Sequence, residues 1–294
     1  MRLLFIGDIV GTPGVNFLRR ALPVIISKEG IDLVVANAEN AAGGSGLTAA
    51  LYRKIRAAGV DLVTLGDHIY KKAEIISTLN SDDRVCKPAN YPPDAPGREM
   101  IEAAARDGTT CAVFCLQGRT FMRPVDCPFL AADRLLRELE GKTKVIIVDI
   151  HAEATADKIL LGHFLDGRVS AVLGTHTHVP TADEQIFPGG TAYITDVGMT
   201  GPYNGVLGRR VDRVLSTTIT FVPCPFDVAE GDSRLGGAIV DIDPATGKAS
   251  AISRVMVDEK TLAGMLETPA PAAETPATTP RADQAERRSA GSAD

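Results

Sequence analysis

The chain is short of every feature that would staple it, anchor it or send it to a nucleic acid. Its 294 residues include five cysteines, Cys86, Cys111, Cys115, Cys127 and Cys224, an odd number with no Cys-x-x-Cys among them. Such usage reads as reduced, mostly buried thiols in a cytosolic protein, and nothing marks one of them as catalytic. A chain of this length buries a core large enough to need no disulfides. No apolar run approaches the ~20 residues that span a bilayer. The apolar opening run, residues 2–10, is too short for a signal peptide and lacks its charged and cleavage regions. A soluble, cytoplasmic protein with no membrane partner is expected. Basic residues are in deficit, 31 Lys and Arg against 37 Asp and Glu, for a formal net charge of −6. That balance excludes a broad phosphate-binding face for duplex nucleic acid. A small phosphorylated substrate remains compatible, because bound cations add positive charge that composition does not record.

What the chain does contain is a repeated design. Leu3-Leu4-Phe5-Ile6 leads to Gly7-Asp8, Leu33-Val34-Val35-Ala36 to Asn37-Ala38-Glu39-Asn40, and Leu62-Val63-Thr64-Leu65 to Gly66-Asp67-His68. Val145-Ile146-Ile147-Val148 leads to Asp149-Ile150-His151, and Ala171-Val172-Leu173 to Gly174-Thr175-His176-Thr177-His178. Continuously apolar, β-branched runs of this length are expected for strands covered on both faces. Helical spacing of apolar residues falls between them, over 16–29, 49–58, 73–79 and 128–139, with Gly30 and Gly59 as stops. Strands alternating with helices predict an α/β fold with substantial parallel pairing. Further strands are expected over 192–195, 216–222, 237–242 and 249–257, the last two joined by a Pro- and Gly-bearing turn at 243–248, so this half reads as mixed or antiparallel. One domain over 1–266 is expected. Residues 267–294, rich in Pro, Ala and Thr and nearly free of large apolar side chains, read as a disordered tail.

The ionisable residues carry the functional argument. Asp8, Glu39, Asp67, His151 and the pair His176 and His178 each follow one of these runs. In open α/β sheets the carboxyl ends of strands face one ligand-binding crevice. Carboxylates gathered there would repel one another unless cations were present. Oxygen and nitrogen donors without thiolate suit Fe, Mn, Zn or Co better than Ca or Mg. In an extended segment His176 and His178 would point the same way, toward a shared site. Taken singly, each Asp here is more often a turn former and each His more often structural; six at equivalent positions weigh against that reading. Of the five histidines only His163 lies away from a strand end, and it reads as an ordinary helix or surface residue. Gly7, Gly66 and Gly174 just before the proposed ligands permit sharp exits and close backbone approach. The Gly-rich stretch 41–47 is either a mobile loop over the site or a plain connection, and without a Gly-Lys-Ser/Thr ending it is not a P-loop.

The segments Gly7-Asp8-Ile9-Val10-Gly11, Asn37-Ala38-Glu39-Asn40, Gly66-Asp67-His68, His151-Ala152-Glu153 and Gly174-Thr175-His176-Thr177-His178 resemble the motif series of calcineurin-like metallophosphoesterases. With Leu116-Gln117-Gly118-Arg119 and Thr195-Asp196-Val197-Gly198, the chain resembles more closely the YmdB-like bacterial phosphodiesterases, from Met1 to about Val257. That resemblance implies a β-sandwich flanked by helices, layered α/β/β/α. It implies two metal ions, iron with manganese as the alternative, one held by Asp8, Glu39, Asn40 and His178 and the other by Glu39, Asp67, His151 and His176. It implies hydrolysis of cyclic nucleotides, the 2′,3′-cyclic kind included, with His68 as proton donor to the leaving group. Attack by a hydroxide bridging the two metals is the expected mechanism. One departure stands out: the family pattern has Gly-Asn-His where this chain has Gly66-Asp67-His68. The extra negative charge is expected to tighten cation binding and to raise the pKa of His68. The alternatives are a phosphomonoesterase or nucleotidase on the same metals, or a low-turnover regulatory protein that binds a cyclic nucleotide. Arg119, Arg123, Arg209 and Arg210 are candidate substrate contacts, with surface solvation as their more ordinary role; Tyr203 and Asn204 could line the pocket. A homo-oligomer is compatible with all of this.

Overall fold

The computed structural model describes residues 1–267. The Pro/Ala/Thr-rich tail expected over 267–294 lies outside the described residues, apart from Glu267, which closes the last helix. In chain order the elements are β1 (Arg2–Ile6), β2 (Asp8–Ile9), α1 (Gly11–Glu29), β3 (Leu33–Asn37), α2 (Ala49–Ala57), β4 (Leu62–Thr64), α3 (Ile75–Ser81), β5 (Met100–Ala104), β6 (Thr110–Gln117) and α4 (Pro128–Leu139). There follow β7 (Val145–His151), α5 (Thr155–Leu165), β8 (Ala171–Thr175), β9 (Gln185–Ile186), β10 (Ala192–Ile194), β11 (Met199–Pro202), α6 (Val211–Thr220), β12 (Ser233–Ile242), β13 (Ala249–Val257) and α7 (Glu259–Glu267).

All five apolar runs are strands, and β3, β4, β7 and β8 are buried along their whole length, as two-sided coverage requires. They do not share one sheet. The first sheet runs β2-β11-β12-β1-β3-β4, with β13 on β12, and the second runs β5-β6-β7-β8-β10-β9. β1, β3 and β4 pair in parallel in the first sheet; β6, β7, β8 and β10 do so in the second. Alternation along each strand separates the layers. Leu3, Phe5, Leu33 and Val35 meet Val113, Val145, Ile147 and Leu173 between the two sheets. Leu4, Ile6, Val34 and Ala36 face Leu18, Leu22 and Ile25 of α1 on the outside of the first sheet. Ile146, Val148 and Val172 face Leu135 and Leu139 of α4 and Leu161 and Leu165 of α5 on the outside of the second. The fold is therefore an α/β/β/α sandwich, and the crevice expected of one open sheet is instead the common edge of two.

Local chemistry explains most boundaries. Gly30 ends α1 in the left-handed conformation, φ 62°. α4 opens with Pro128 in its first turn. The hairpin over 243–248 joins β12 and β13, which pair antiparallel. The expected strand over 216–222 is a helix instead, lying largely within α6. Its Ile219 and three threonines favour strands. Yet Val211, Leu215 and Ile219 recur every four residues along one side of a helix. No residue of α6 is fully buried, so tertiary packing gives the segment no half-buried sheet surface to join. α5 is not evident from the sequence; it carries His163, whose ring stacks on Phe187 at 4.6 Å between centroids, away from the strand ends. No helix among the described residues is long and apolar enough to cross a membrane.

Candidate metal centre

The carboxyl ends of β1, β3 and β4 in one sheet, and of β7 and β8 in the other, meet at the same edge of the sandwich. The first sheet brings mostly oxygen donors: Asp8 just beyond β1, Glu39 and Asn40 beyond β3, and Asp67 beyond β4. The second brings nitrogen donors: His151 at the end of β7, and His176 and His178 beyond β8. Asp8, Glu39 and His151 have no solvent exposure. One donor atom each from Glu39, Asp67, His151 and His176 lie within 4.8 Å of one another. His151 Nε2 is 3.2 Å from both Glu39 Oε1 and Asp67 Oδ1, and His176 Nδ1 is 3.4 Å from Asp67 Oδ1. Asp8 and His178 meet on the other side, with Oδ1 to Nε2 at 3.7 Å.

Asn40 joins the two sides. Its Nδ2 donates toward Glu39 Oε1 at 3.3 Å and Asp8 Oδ1 at 3.4 Å, and lies 3.2 Å from His178 Nε2. Its Oδ1 faces His68 Nδ1 at 2.6 Å. The amide thus presents a donor to the carboxylates, and ligation of a cation through oxygen needs the amide turned end for end. His176 and His178 depart from the extended geometry expected of them. Their φ angles are 91° and 64°, so the backbone coils and the two imidazoles serve opposite sides of the centre.

Close approach explains the glycine before Asp67. A Cβ on Gly66 would overlap His151 Nε2 and lie 2.5 Å from Glu39 Oε2. Only a hydrogen fits in the space where these donors converge.

Electrostatics describe a cluster in want of cations. Among the described residues no Lys or Arg forms an ion pair with Asp8, Glu39 or Asp67; only imidazoles do. Burial works against the charge on Asp8, but the charge of His178 holds its carboxyl well below the usual range. Burial likewise opposes His151, and the charge of Glu39 outweighs it to raise the imidazole pKa. His68 is raised chiefly by its hydrogen bond to Glu39, with the charge of Asp67 a smaller cause than the sequence suggested. Protons on imidazoles thus supply the positive charge that divalent ions would supply to the same donors, and the mixed oxygen and nitrogen set fits such ions.

Two buried networks hold the donors, and sequence reasoning missed both. Asp149, pushed up to about 6 by burial, accepts from Thr64 Oγ1 and Thr175 Oγ1, each at 2.6 Å. Thr175 gives its one proton to Asp149, so its oxygen can accept from His151 Nδ1 at 2.9 Å. That hydrogen bond points Nε2 at Glu39 and Asp67 as the ligating nitrogen. The available signal is a charged residue inside an apolar run, two positions before His151 and so on the same strand face. In the second network Lys158, fully buried on α5, donates from Nζ to Asp196 Oδ2 at 2.7 Å. The same oxygen accepts from Thr177 Oγ1 at 2.6 Å and Thr177 N at 3.1 Å. Thr177 stands between the two histidines, so this pair grips the coiled segment that presents them.

Beside the donors lies a cavity of about 670 Å³. Glu39, Asn40, His68, His176 and His178 line it, together with Val206, Leu207, Val214 and Phe226. Arg209 lies in its wall, with its donors directed to protein: Nη1 to Gly43 O at 2.9 Å and Phe226 O at 2.8 Å, and Nη2 to Ser45 Oγ at 2.9 Å. The Gly-rich loop is therefore a connection fastened in place. Arg123 borders a smaller hollow beside Asp67 and His68, Arg119 is exposed, and Arg210 pairs with Asp212. Tyr203 and Asn204 do not line the cavity; the Tyr203 hydroxyl donates to Met199 O at 3.0 Å and its ring lies under Arg234.

The family model for YmdB-like proteins matches residues 4–255. The chain belongs to the YmdB-like protein family. A Bacillus subtilis member named 2′,3′-cyclic-nucleotide 2′-phosphodiesterase is 46% identical over 259 residues, 88% of this chain and 98% of that one. Among solved structures, a hypothetical protein from Thermus thermophilus superimposes with a TM-score of 0.83 at 44% identity, covering 88% of this chain and 99% of its own. A structure described as a novel phosphatase of Mycoplasma pneumoniae gives 0.82 at 30% identity, covering 88% and 93%. The YmdB-like match takes in both sheets and every donor described above.

Proposed function

We propose that this YmdB-like chain is a dinuclear metal-dependent phosphodiesterase acting on nucleoside 2′,3′-cyclic phosphates. The observation that carries the reading is the cluster of oxygen and nitrogen donors, drawn from both sheets, uncompensated by any Lys or Arg among the described residues and reaching a cavity through Glu39 and His176. The name of the Bacillus subtilis relative supports the substrate class. Asp8, Glu39, Asn40 and His178 would hold one ion, and Glu39, Asp67, His151 and His176 the other, with iron or manganese suited to the donors. Bound there, the ions supply Lewis acidity toward phosphoryl oxygens and a water of lowered pKa.

The chain's own residues do the rest. His68 borders the cavity, and its hydrogen bond with Glu39 favours the imidazolium. It is the proton donor to the departing ribose oxygen, a role typically worth ~10²–10⁴-fold in rate. Water adds to phosphorus, the bond to the 2′ oxygen breaks, and His68 gives that oxygen its proton, leaving a nucleoside 3′-phosphate. Glu39 Oε2 accepts from the His68 backbone amide at 2.9 Å and so fixes the donor relative to the carboxylates.

The phosphatase description of the Mycoplasma pneumoniae neighbour favours one second reading, a phosphomonoesterase on the same donors. Turnover of adenosine 2′,3′-cyclic phosphate and of adenosine 3′-phosphate by manganese-loaded protein separates them. The diesterase reading expects the first to be cleaved and the second to accumulate as product; release of inorganic phosphate from the second at a comparable rate overturns it.

A further inference from the structure

We infer that the apolar side of the cavity, formed by Val206, Leu207, Val214 and Phe226, is a subsite for the base of the nucleotide, and that it gives the enzyme its preference for nucleosides over baseless phosphoesters. This rests on the phosphodiesterase reading above. The cavity lining is mixed in chemistry: carboxylate, amide and imidazole groups share it with aliphatic and aromatic ones. Its volume of about 670 Å³ falls within the ~300–1,000 Å³ range of small-ligand sites.

The apolar side stands open to water. Val206, Leu207 and Phe226 are 41%, 45% and 42% exposed, beside Glu39 and Asn40, which are buried. Large apolar side chains left exposed at the mouth of a charged site gain by covering a flat, weakly polar ligand face. The substrate has one such part, its base. Val214 supplies the contribution of α6, a helix with no fully buried residue.

The wall is also held at a fixed distance from the donors. Leu207 O accepts from His178 Nδ1 at 3.1 Å, which ties the wall to the donor cluster. Val206 and Arg209 exchange backbone hydrogen bonds at 2.8 and 2.9 Å, forming a tight turn with Leu207 in the left-handed conformation at φ 52°. Arg209 then links Phe226 O to Gly43 O, joining the wall to the loop that follows Glu39 and Asn40. A site of this kind recognises that a base is present through contact area and stacking, and it tolerates different bases.

Steady-state kinetics of the manganese-loaded enzyme on adenosine, cytidine and baseless ribose 2′,3′-cyclic phosphates provide the test. Phe226→Ala is expected to raise KM about tenfold for both nucleosides, within the range of base–aromatic stacking, and to lower the preference over ribose by the same factor. Phe226→Tyr, which keeps the ring, is expected to restore it. An undiminished nucleoside preference in Phe226→Ala overturns the inference, and so does a common fall in kcat for all three substrates, which would mark the wall as a prop for His178. If the wild type cleaves none of the three, the phosphodiesterase reading falls by itself. Calorimetric binding of adenosine 3′-phosphate against ribose phosphate then decides the wall, with a tenfold loss in Phe226→Ala for the nucleotide supporting it and equal affinities overturning it.

Discussion

The two sides of the cavity are built in opposite ways. The donor side comes from strand ends, with Glu39 in the wall and Asp8 and His151 behind it all fully buried, and its histidines braced by the Asp149 and Lys158–Asp196 networks. The apolar side comes from a tight turn and an exposed helix. Charged donors repel unless their spacing is fixed, so they need rigid strands and buried hydrogen-bond partners. Apolar contact is non-directional and tolerates a loop. Changes on the first side should therefore act on the metals and on chemistry, and changes on the second on substrate choice.

The largest effect is expected from Gly66→Ala. Its methyl would occupy the space between His151 Nε2 and Glu39 Oε2, and relieving a clash with buried groups costs about 1–3 kcal/mol or more. Loss of bound metal and at least a hundredfold fall in turnover are expected; normal metal content would show that the donors do not converge as described. His68→Ala comes next. It should retain both metals while kcat falls about 10²–10⁴-fold, and metal loss in that variant would make His68 a ligand. The smallest effect is expected from Asp67→Asn, which puts in the neutral side chain of the Gly-Asn-His pattern that residues 66–68 resemble. The variant should fold, stay active within about tenfold and bind cations more weakly, since a neutral carbonyl oxygen replaces a carboxylate; an inactive, metal-free protein would contradict this view of Asp67.

The donor side is legible in the sequence because its signals are local. Each donor follows an apolar, β-branched run closely, and the spacing survives whichever sheet the strand joins. What local pattern does not convey is partition: β1 and β7 look alike as sequence, yet they lie in different sheets, and only long-range pairing decides it. The coiling of His176 and His178 escapes the sequence for the same reason, since it depends on Asp8 and Asp196 reaching the His176 amide and Thr177 from distant segments. Asp149 and Lys158 leave faint traces, a charge within an apolar run and a lysine among helical leucines. The apolar side leaves none. Its residues are ordinary in type, the β-branched content of α6 reads as a strand, and the neighbouring Tyr203, a more conspicuous residue, braces Met199 instead of lining the cavity.

Metal content of the full chain, purified without chelators, tests most directly whether donors from two sheets converge on a pair of cations. Two ions per chain, iron or manganese, are predicted, removed together with activity by a chelator and restored together with it. A metal-free protein that hydrolyses adenosine 2′,3′-cyclic phosphate would contradict that convergence.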